Sequence, residues 1–168
     1  RGIAVDEKTM QTNVPHIYAI GDINGKMMLA HAATFQGIVA LDHIMGIENN
    51  IDLSVMPAAV FTTPEAASVG MTEDECKEAG RSVKCLKSFF RANGKAVTMA
   101  QTDGFCKLVV DAETGEILGC HLFGPHASDI VQEVCALISR KATIEQFKDI
   151  IHTHPTLTEV LQSAAHNG

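Results

Sequence analysis

The chain has 168 residues, of which 46% are hydrophobic and 20% are charged, and its formal net charge is -7 at pH 7. This length is enough for one ordinary domain and part of another, with a real apolar core. The 13 basic residues are dispersed, and no apolar run approaches the ~18 residues of a membrane span. The composition therefore predicts neither a nucleic-acid-binding protein nor a membrane protein.

A strand-loop-helix unit is the first predicted structure. Residues 17–20 form a short apolar run typical of a buried parallel strand, which stops at Gly21-Asp22. A nearly all-apolar helix is predicted from about Met28 to Met45, with Gly46 as a left-handed cap. A lone parallel strand and a helix that is apolar all round need partners on both faces. The rest of this chain does not offer them.

Ligand chemistry is indicated where this strand ends and the helix begins. Asp22 lies at the carboxyl end of the strand, where open α/β sheets bind ligands, and its carboxylate could accept hydrogen bonds from sugar-type hydroxyls. It could equally serve only to end the strand. The backbone amides at the helix start favour an anionic ligand atom. These amides belong to Met28, Leu29, Ala30 and His31.

The following residues predict an α+β module. Candidate strands are 58–62, 83–90, 96–100, 105–111 and 117–123, with Gly115 in a hairpin connection. Candidate helices are 73–79, 128–140, a short one from Thr143, and 157–166. Grouped strands with helices segregated to one side predict a layered antiparallel sheet covered by helices. The expected core residues are Phe61, Phe89, Leu108, Val110, Leu118 and Leu122.

Acid/base chemistry is indicated by the segment His-Thr-His-Pro-Thr-Leu-Thr-Glu at residues 152–159. An imidazole titrates near neutral pH, and a carboxylate that fixes its tautomer would make His154 a proton shuttle, with Glu159 as the carboxylate. Two alternatives remain open. Thr156 and Glu159 also fit a helix capping box, and the His-x-His spacing is compatible with a metal site completed by Glu159 or His166.

The five cysteines are scattered and contain no C-x-x-C pair. Such a pattern favours a reduced, intracellular compartment, with most of the thiols acting as small buried residues. The sequence predicts no signal peptide with a basic start and an apolar centre. We therefore expect a cytoplasmic protein, or a mitochondrial matrix protein if the source is eukaryotic.

Residues 12–22, Thr-Asn-Val-Pro-His-Ile-Tyr-Ala-Ile-Gly-Asp, resemble the second flavin-binding motif of the flavoprotein disulfide reductases, T-x-x-P-x-I-[YF]-A-x-G-D. Residues 28–31, 124–128 and 152–159 resemble later segments of the dihydrolipoyl dehydrogenases within that family. Glutathione-type reductases share His-Pro-Thr near their end, but they usually continue with Ser-Ser-Glu or Ser-Ala-Glu. The ordered matches cover nearly the whole chain.

The resemblance implies specific roles for the candidate residues. His154 would be the general base for a dihydrolipoamide thiol, with Glu159 orienting it and with a cis His-Pro bond at Pro155. Asp22 would bind the ribityl chain of FAD, and the amides of residues 28–31 would lie at the isoalloxazine edge. Residues 1–50 would be a carboxyl-terminal remnant of the FAD-binding α/β domain, and residues 51–168 the dimerisation (interface) domain. No metal is expected.

The family's GxGxxG unit, its C-x-x-x-x-C pair and its nicotinamide-binding domain have no counterpart in this sequence. The resemblance therefore implies a carboxyl-terminal fragment of a roughly three-times-longer enzyme. FAD and NAD would belong to the full-length parent. The fragment itself is expected to bind neither cofactor and to be inactive alone.

The resemblance also implies partners. A homodimer is expected in which the histidine of one subunit completes the active site of the other, held by Val131, Val134, Leu137 and the last helix. The parent would also serve a lipoyl-bearing protein of a 2-oxo acid dehydrogenase or glycine-cleavage complex. Nucleic acid and membrane are not expected partners. The alternatives are a non-catalytic homodimerisation module and a fragment of a glutathione-type disulfide reductase.

Overall fold

The computed structural model of the protein describes residues 2–167, so Arg1 and Gly168, the outer ends of the two predicted domains, lie outside it. The chain divides into two compact units, residues 1–56 and 57–168. No helix within the described residues is both long and apolar enough to cross a membrane.

The first unit contains a short 3-10 helix, Gly21–Asn24, and one long helix, α1, Ala30–Met45. The helix ends at Gly46 with a φ of 67°, the predicted left-handed cap. It begins two residues later than predicted because Leu29 has an extended backbone. The amides of Met28 and Leu29 therefore precede the helix rather than belong to its first turn.

The predicted parallel strand at residues 17–20 is wrong. Tyr18 makes only a single antiparallel bridge, to Gln11, and Ile17 and Ile20 are 48% and 43% exposed. An apolar run becomes a buried parallel strand only when neighbouring strands and helices cover it. The described residues of this unit contain no such neighbours.

Helix α1 packs only part of its apolar surface inside its own unit. Val39 and Ala40 form a buried cluster with Met10. Its other large apolar side chains are between 39% and 70% exposed: Phe35, Ile38, Leu41, Ile44 and Met45. This exposed area agrees with the expectation that an all-round apolar helix needs further partners.

The second unit is built on one five-stranded sheet in the order β1-β2-β5-β4-β3, and every pairing is antiparallel. The predicted α+β class with a layered antiparallel sheet is therefore confirmed. The strands are β1 Ala58–Val60, β2 Glu65–Gly70, β3 Val83–Phe89, β4 Phe105–Asp111 and β5 Ile117–Gly124.

Helices cover this sheet. Helix α4 packs on β2 and β5, and α6 packs on β3 and β4, while α2 buries Cys76 against Val109 and Leu118. The predicted capping boxes at the starts of α2 and α5 are both present. The helices are α2 Glu73–Glu78, α3 Gly94–Thr98, α4 Ala127–Ser139, α5 Ile144–Lys148 and α6 Glu159–His166.

Two predictions of secondary structure in this unit are wrong. Residues 96–100 were expected to form a strand, but Gly94–Thr98 is helix α3, because the Asn93 side chain accepts a hydrogen bond from the Ala96 amide and starts a helix. Strand β2 was not predicted, because Glu65, Ala66 and Ala67 have little strand propensity on their own. Pairing on both sides, with β1 and β5, overrides that local preference.

The core contains four of the six predicted residues, and Leu108, Val110, Leu118 and Leu122 are all buried. Phe61 is 80% exposed and Phe89 is 41% exposed, so these two predictions are wrong. Along β3 the buried Leu86 and Ser88 face the helical layer, and the period of two directs Phe89 to the opposite face.

Val131 and Val134 were expected to supply surface for a dimer. They are 2% and 0% exposed within the single chain, because α4 turns them towards the sheet. Val160 and Leu161 of the last helix are also buried. Those residues form the core of their own unit, so the expectation that they provide a dimer contact is wrong.

Most of the cysteine thiols are buried, as the sequence predicted. All five cysteines are unpaired, and every one except the half-buried Cys85 is buried. Burial raises the pKa of the Cys76, Cys85 and Cys135 thiols. Their packing in the sheet, α2 and α4 makes them small apolar residues rather than reactive groups.

Asp111 fixes the turn after β4. Its carboxylate accepts hydrogen bonds from the amides of Glu113 and Thr114, each at 3.0 Å, and from the guanidinium of Arg81 at 2.9 Å. The Thr114 amide, then the Glu113 amide and Arg81, lower the pKa of Asp111 to about 2. The folded state therefore holds the ionised carboxylate more strongly than the unfolded chain does.

Replacing Asp111 with asparagine should lower stability at pH 7. A depressed folded-state pKa contributes stability above the unfolded value of about 3.9, and this contribution is lost as pH falls towards about 2. The gap in urea midpoint between wild type and Asp111→Asn should therefore close between about pH 4 and pH 2. The exposed Asp103→Asn variant is the control. A gap independent of pH would contradict the prediction.

Candidate active site

His154 and Glu159 lie in direct contact. The Nδ1 of His154 is 2.9 Å from Oε1 of Glu159. A carboxylate can only accept a hydrogen bond, so this contact assigns the ring proton to Nδ1 and leaves the Nε2 lone pair on the outer side of the ring. The His154 side chain is 77% exposed, whereas that of Glu159 is 21% exposed. The pair therefore presents an accessible base supported by a largely buried carboxylate.

The carboxylate of Glu159 is itself held from a second side. Its Oε2 accepts a hydrogen bond from the Thr156 amide at 2.8 Å. The Thr156 amide, followed by His154, lowers the pKa of Glu159 below its usual value. Glu159 is therefore ionised at neutral pH and favours a proton on the facing nitrogen of His154.

The predicted capping box at this helix is only half formed. The Thr156 amide reaches Glu159 as such a box requires. The Thr156 hydroxyl instead donates to the Thr153 carbonyl at 2.8 Å, and α6 begins at Glu159 rather than at residue 157. The threonine thus shapes the preceding turn, in which the His154-Pro155 peptide is cis as the resemblance implied.

His152 is directed away from His154 towards α4. Its Nε2 is 3.0 Å from Glu133 and its Nδ1 is 3.1 Å from the Ile150 carbonyl. Its side chain is only 5% exposed. Its ring packs edge-on against the ring of Phe147, with 5.5 Å between the two ring centroids. The two imidazoles therefore contact different carboxylates. Residues 2–167 contain no group of three or more His, Cys, Asp or Glu side chains placed to hold a metal.

Asn93 contacts the segment that carries His154, although nothing in the sequence indicated this contact. Its side-chain amide donates to the carbonyls of Thr156 at 3.0 Å and Leu157 at 3.4 Å, and the residue is 6% exposed. Local pattern could show Asn93 as a helix cap. It could not show a contact that spans more than sixty residues of sequence.

The predicted ligand residues of the first unit lie at its surface. Asp22 is exposed, as are Met28, Ala30 and His31, while Leu29 is half-buried. The aliphatic Leu29 precedes α1 and cannot accept a hydrogen bond from the helix amides. An exposed carboxylate and a helix start without a side-chain cap are compatible with the hydroxyl and anionic ligand chemistry predicted for them.

A buried polar network supports the loop that carries Asp22. Gln36, 4% exposed on α1, accepts hydrogen bonds from the Gly21 amide at 2.7 Å and from Asn24 at 2.8 Å. Asn24 in turn donates to the Ala19 carbonyl at 3.2 Å. Neither residue was predicted from the sequence. The available signal was a glutamine among the apolar residues in the middle of the helix.

Comparison with known proteins gives this architecture its class. Residues 56–165 match the pyridine nucleotide-disulphide oxidoreductase dimerisation domain, and residues 1–37 match the pyridine nucleotide-disulphide oxidoreductase domain. The chain belongs to the pyridine nucleotide-disulphide oxidoreductase family. The resemblance noted in the sequence to the flavoprotein disulfide reductases is thereby confirmed.

Dihydrolipoyl dehydrogenases are among the similar proteins of this family. The chain is 46% identical over 165 residues to the dihydrolipoyl dehydrogenase of Chlamydia muridarum, covering 98% of this chain and 36% of that protein. It is 44% identical over 164 residues to that of Bacillus subtilis strain 168, covering 97% of this chain and 34% of that protein. The chain thus spans about a third of the length of these curated relatives.

Solved structures agree in fold. LpdA from Mycobacterium tuberculosis matches with a TM-score of 0.89 and 27% identity over 98% of this chain and 36% of that one. The HOCl-induced flavoprotein disulfide reductase RclA from Escherichia coli matches with a TM-score of 0.83 and 26% identity, over 98% and 40% of the two chains.

Proposed function

We propose that this chain forms part of a dihydrolipoyl dehydrogenase, which oxidises dihydrolipoamide to lipoamide with NAD as the electron acceptor. The observation that carries the proposal is the exposed imidazole of His154, whose Nδ1 contacts the ionised Glu159 and whose Nε2 is left to accept a proton. A dithiol must lose a proton before it can attack a disulfide, because the thiolate is the nucleophile. An exposed neutral imidazole can accept that proton.

The chain's own residues would perform one part of the reaction. His154 takes the thiol proton at Nε2 and becomes an imidazolium, while its Nδ1–H remains hydrogen-bonded to the Glu159 carboxylate. The carboxylate stabilises the cation and prevents the ring from turning, so the same nitrogen can return the proton. Dihydrolipoamide would reduce the enzyme disulfide to a dithiol as it becomes lipoamide, and FAD, when bound by the full-length enzyme, would supply the acceptor that passes the electron pair of this dithiol to NAD.

The first unit would contribute to the flavin site. Residues 1–50 are proposed as part of the FAD-binding domain, and residues 51–168 as the dimerisation domain. Asp22 would accept hydrogen bonds from the ribityl hydroxyls, and the amides of residues 28–31 would favour the electron-rich edge of the flavin ring. The exposed apolar surface of α1 supports this assignment, because a helix of that kind belongs inside a larger α/β domain.

The base would act in a homodimer, on a dihydrolipoamide thiol that attacks a disulfide of the partner subunit. The cysteines of residues 57–168 all lie in β-strands, α2 and α4, and none lies in the segment that carries His154. The thiol and disulfide chemistry must therefore come from elsewhere in the assembly. The isolated chain would accordingly be inactive and bind neither FAD nor NAD.

Ile151 is the side chain that best fits a subunit contact near the base, because it is 95% exposed and lies three residues before His154. We expect the chain to show the mass of two subunits by light scattering at micromolar concentration, and Ile151→Asp to shift it towards one. Urea unfolding is the control, since an exposed substitution should change stability by no more than about 0.5 kcal/mol. A wild-type mass of one subunit would contradict the dimer.

A lipoyl-bearing protein of a 2-oxo acid dehydrogenase or glycine-cleavage complex is the proposed further partner. It follows from the proposed substrate, since such proteins carry the dithiol. The unpaired cysteines support a reduced compartment, the cytoplasm or the mitochondrial matrix.

A chimera tests the activity. The corresponding carboxyl-terminal segment of the Bacillus subtilis relative, to which this chain is 44% identical, is replaced by this chain. Flavin absorbance, mass and dihydrolipoamide-dependent NAD reduction are then measured. The expected result is a yellow dimer with turnover. The same relative lacking the segment is the control and should be inactive.

Two outcomes would count against the proposal. A flavin-loaded dimeric chimera without turnover would contradict the assignment of the acid/base site. Reduction of oxidised glutathione in preference to lipoamide would favour a glutathione-type reductase, the class that shares His-Pro-Thr with this chain at residues 154–156. A stable dimer of the isolated chain alone would agree equally with a non-catalytic dimerisation module.

A further inference from the structure

Asn93 connects two parts of the second unit through one side chain. Its Oδ1 accepts a hydrogen bond from the Ala96 amide at 2.9 Å and so starts α3. Its Nδ2 donates to the Thr156 carbonyl at 3.0 Å and, more weakly, to the Leu157 carbonyl at 3.4 Å. The amide is almost fully buried, so water does not compete for these contacts.

Thr156 passes this contact on to the base. Its carbonyl accepts from Asn93 and its amide donates to Glu159, whose other oxygen accepts from Nδ1 of His154. The Thr156 carbonyl, which Asn93 holds, and the Thr156 amide, which holds the Glu159 carboxylate, belong to adjacent peptide units. The carboxylate in turn fixes the imidazole ring of His154. Movement of the Thr156 backbone would shift Glu159 relative to His154.

We propose that Asn93 is a positioning residue for the acid/base pair, acting through the Thr156 backbone to keep the ring proton of His154 on Nδ1 and the Nε2 lone pair exposed. This inference rests on the proposed function for its catalytic meaning. Its structural content, the tautomer of His154, can be measured without turnover. Failure of the proposed catalytic function can therefore be distinguished from failure of the positioning role of Asn93.

Two substitutions separate the functions of the amide. Asn93→Ser keeps a side-chain oxygen that can start α3, but it removes the Nδ2 donor to the Thr156 carbonyl, and the serine hydroxyl ends one bond short of the Nδ2 position. Asn93→Asp keeps the same shape and also keeps the cap, but it places an acceptor against two carbonyl oxygens. Thr72→Ala is the matched control, because Thr72 starts α2 by the same type of bond and has no contact with the His154 segment.

The tautomer is measured by 15N NMR of the histidine ring nitrogens in the 168-residue chain. The measurement is made at about pH 8.5, where an ordinary imidazole is neutral. Wild type and Thr72→Ala should show His154 with its proton on Nδ1. Asn93→Ser and Asn93→Asp should lose that signal in favour of the Nε2–H form, which is the form that free imidazole side chains favour in water. In the chimera, both variants should lower kcat more than they raise KM.

Folded Asn93→Ser and Asn93→Asp variants with the wild-type tautomer would overturn the proposal. An equal change in Thr72→Ala would also overturn it, because the effect would then follow general destabilisation. If Asn93→Asp does not fold, Asn93→Ser decides the question. If both fail to fold while Thr72→Ala folds, Asn93 belongs to the stability of the whole unit and the positioning role is rejected.

Discussion

Replacing His154 with glutamine in the chimera is expected to lower kcat for dihydrolipoamide oxidation by about 10²- to 10⁴-fold, the usual contribution of a positioned general acid/base. Glutamine keeps a polar side chain of similar reach, but it cannot take up a proton at neutral pH. The loss should appear in kcat and in kcat/KM alike, because proton transfer belongs to the transition state rather than to substrate binding.

His166→Gln is the matched control. His166 is an exposed histidine at the end of α6, so this substitution should leave turnover unchanged. Flavin absorbance and dimer mass are measured on both variants to show that the assembly is intact. If the His154→Gln enzyme retained more than about a tenth of wild-type kcat, the assignment of His154 as the base would fail.

Replacing Phe147 with alanine is expected to lower the free energy of unfolding by about 3–5 kcal/mol, the typical cost of removing a phenylalanine from a packed core. Phe147 lies in α5 and is fully buried. Its ring packs edge-on against that of His152, with 5.5 Å between the ring centroids. The cavity would lie beside His152, in the segment that leads to His154. Urea unfolding of the isolated chain provides the measurement.

Phe61→Ala provides the comparison for this prediction. Phe61 was expected to be a core residue, but it is 80% exposed, so the same chemical change should alter stability by no more than about 0.5 kcal/mol. Equal losses in the two variants would show that the burial described for Phe147 does not determine its contribution. A loss below about 1 kcal/mol for Phe147 would do the same.

Local signals account for the elements that the sequence predicted correctly. Thr72 with Glu75 and Thr143 with Gln146 mark helix starts through short-range bonds, and Gly46 marks a helix end through its left-handed backbone. Each signal acts within a few residues of its own position. Pairing of β2 with strands on both sides, by contrast, is decided far along the chain, so its alanine-rich sequence gave no indication of a strand.

The candidate site divides in the same way. His154 and Glu159 lie within one short motif, and their contact could be predicted from its spacing and from the family resemblance. The groups that hold the motif in place come from distant parts of the chain, namely Asn93 before α3 and Glu133 on α4. No periodicity or spacing rule connects such residues before the sheet brings them together.

One property of the 150–159 segment affects how subunits would associate. Its side chains bond to Glu133 and to neighbouring backbone groups, and its backbone accepts a hydrogen bond from Asn93, all within residues 57–168 of one chain. The conformational entropy of this segment is therefore lost during folding, not during association. A base that is already ordered before its partner arrives adds no ordering cost to the encounter, and more of the contact energy remains available as affinity.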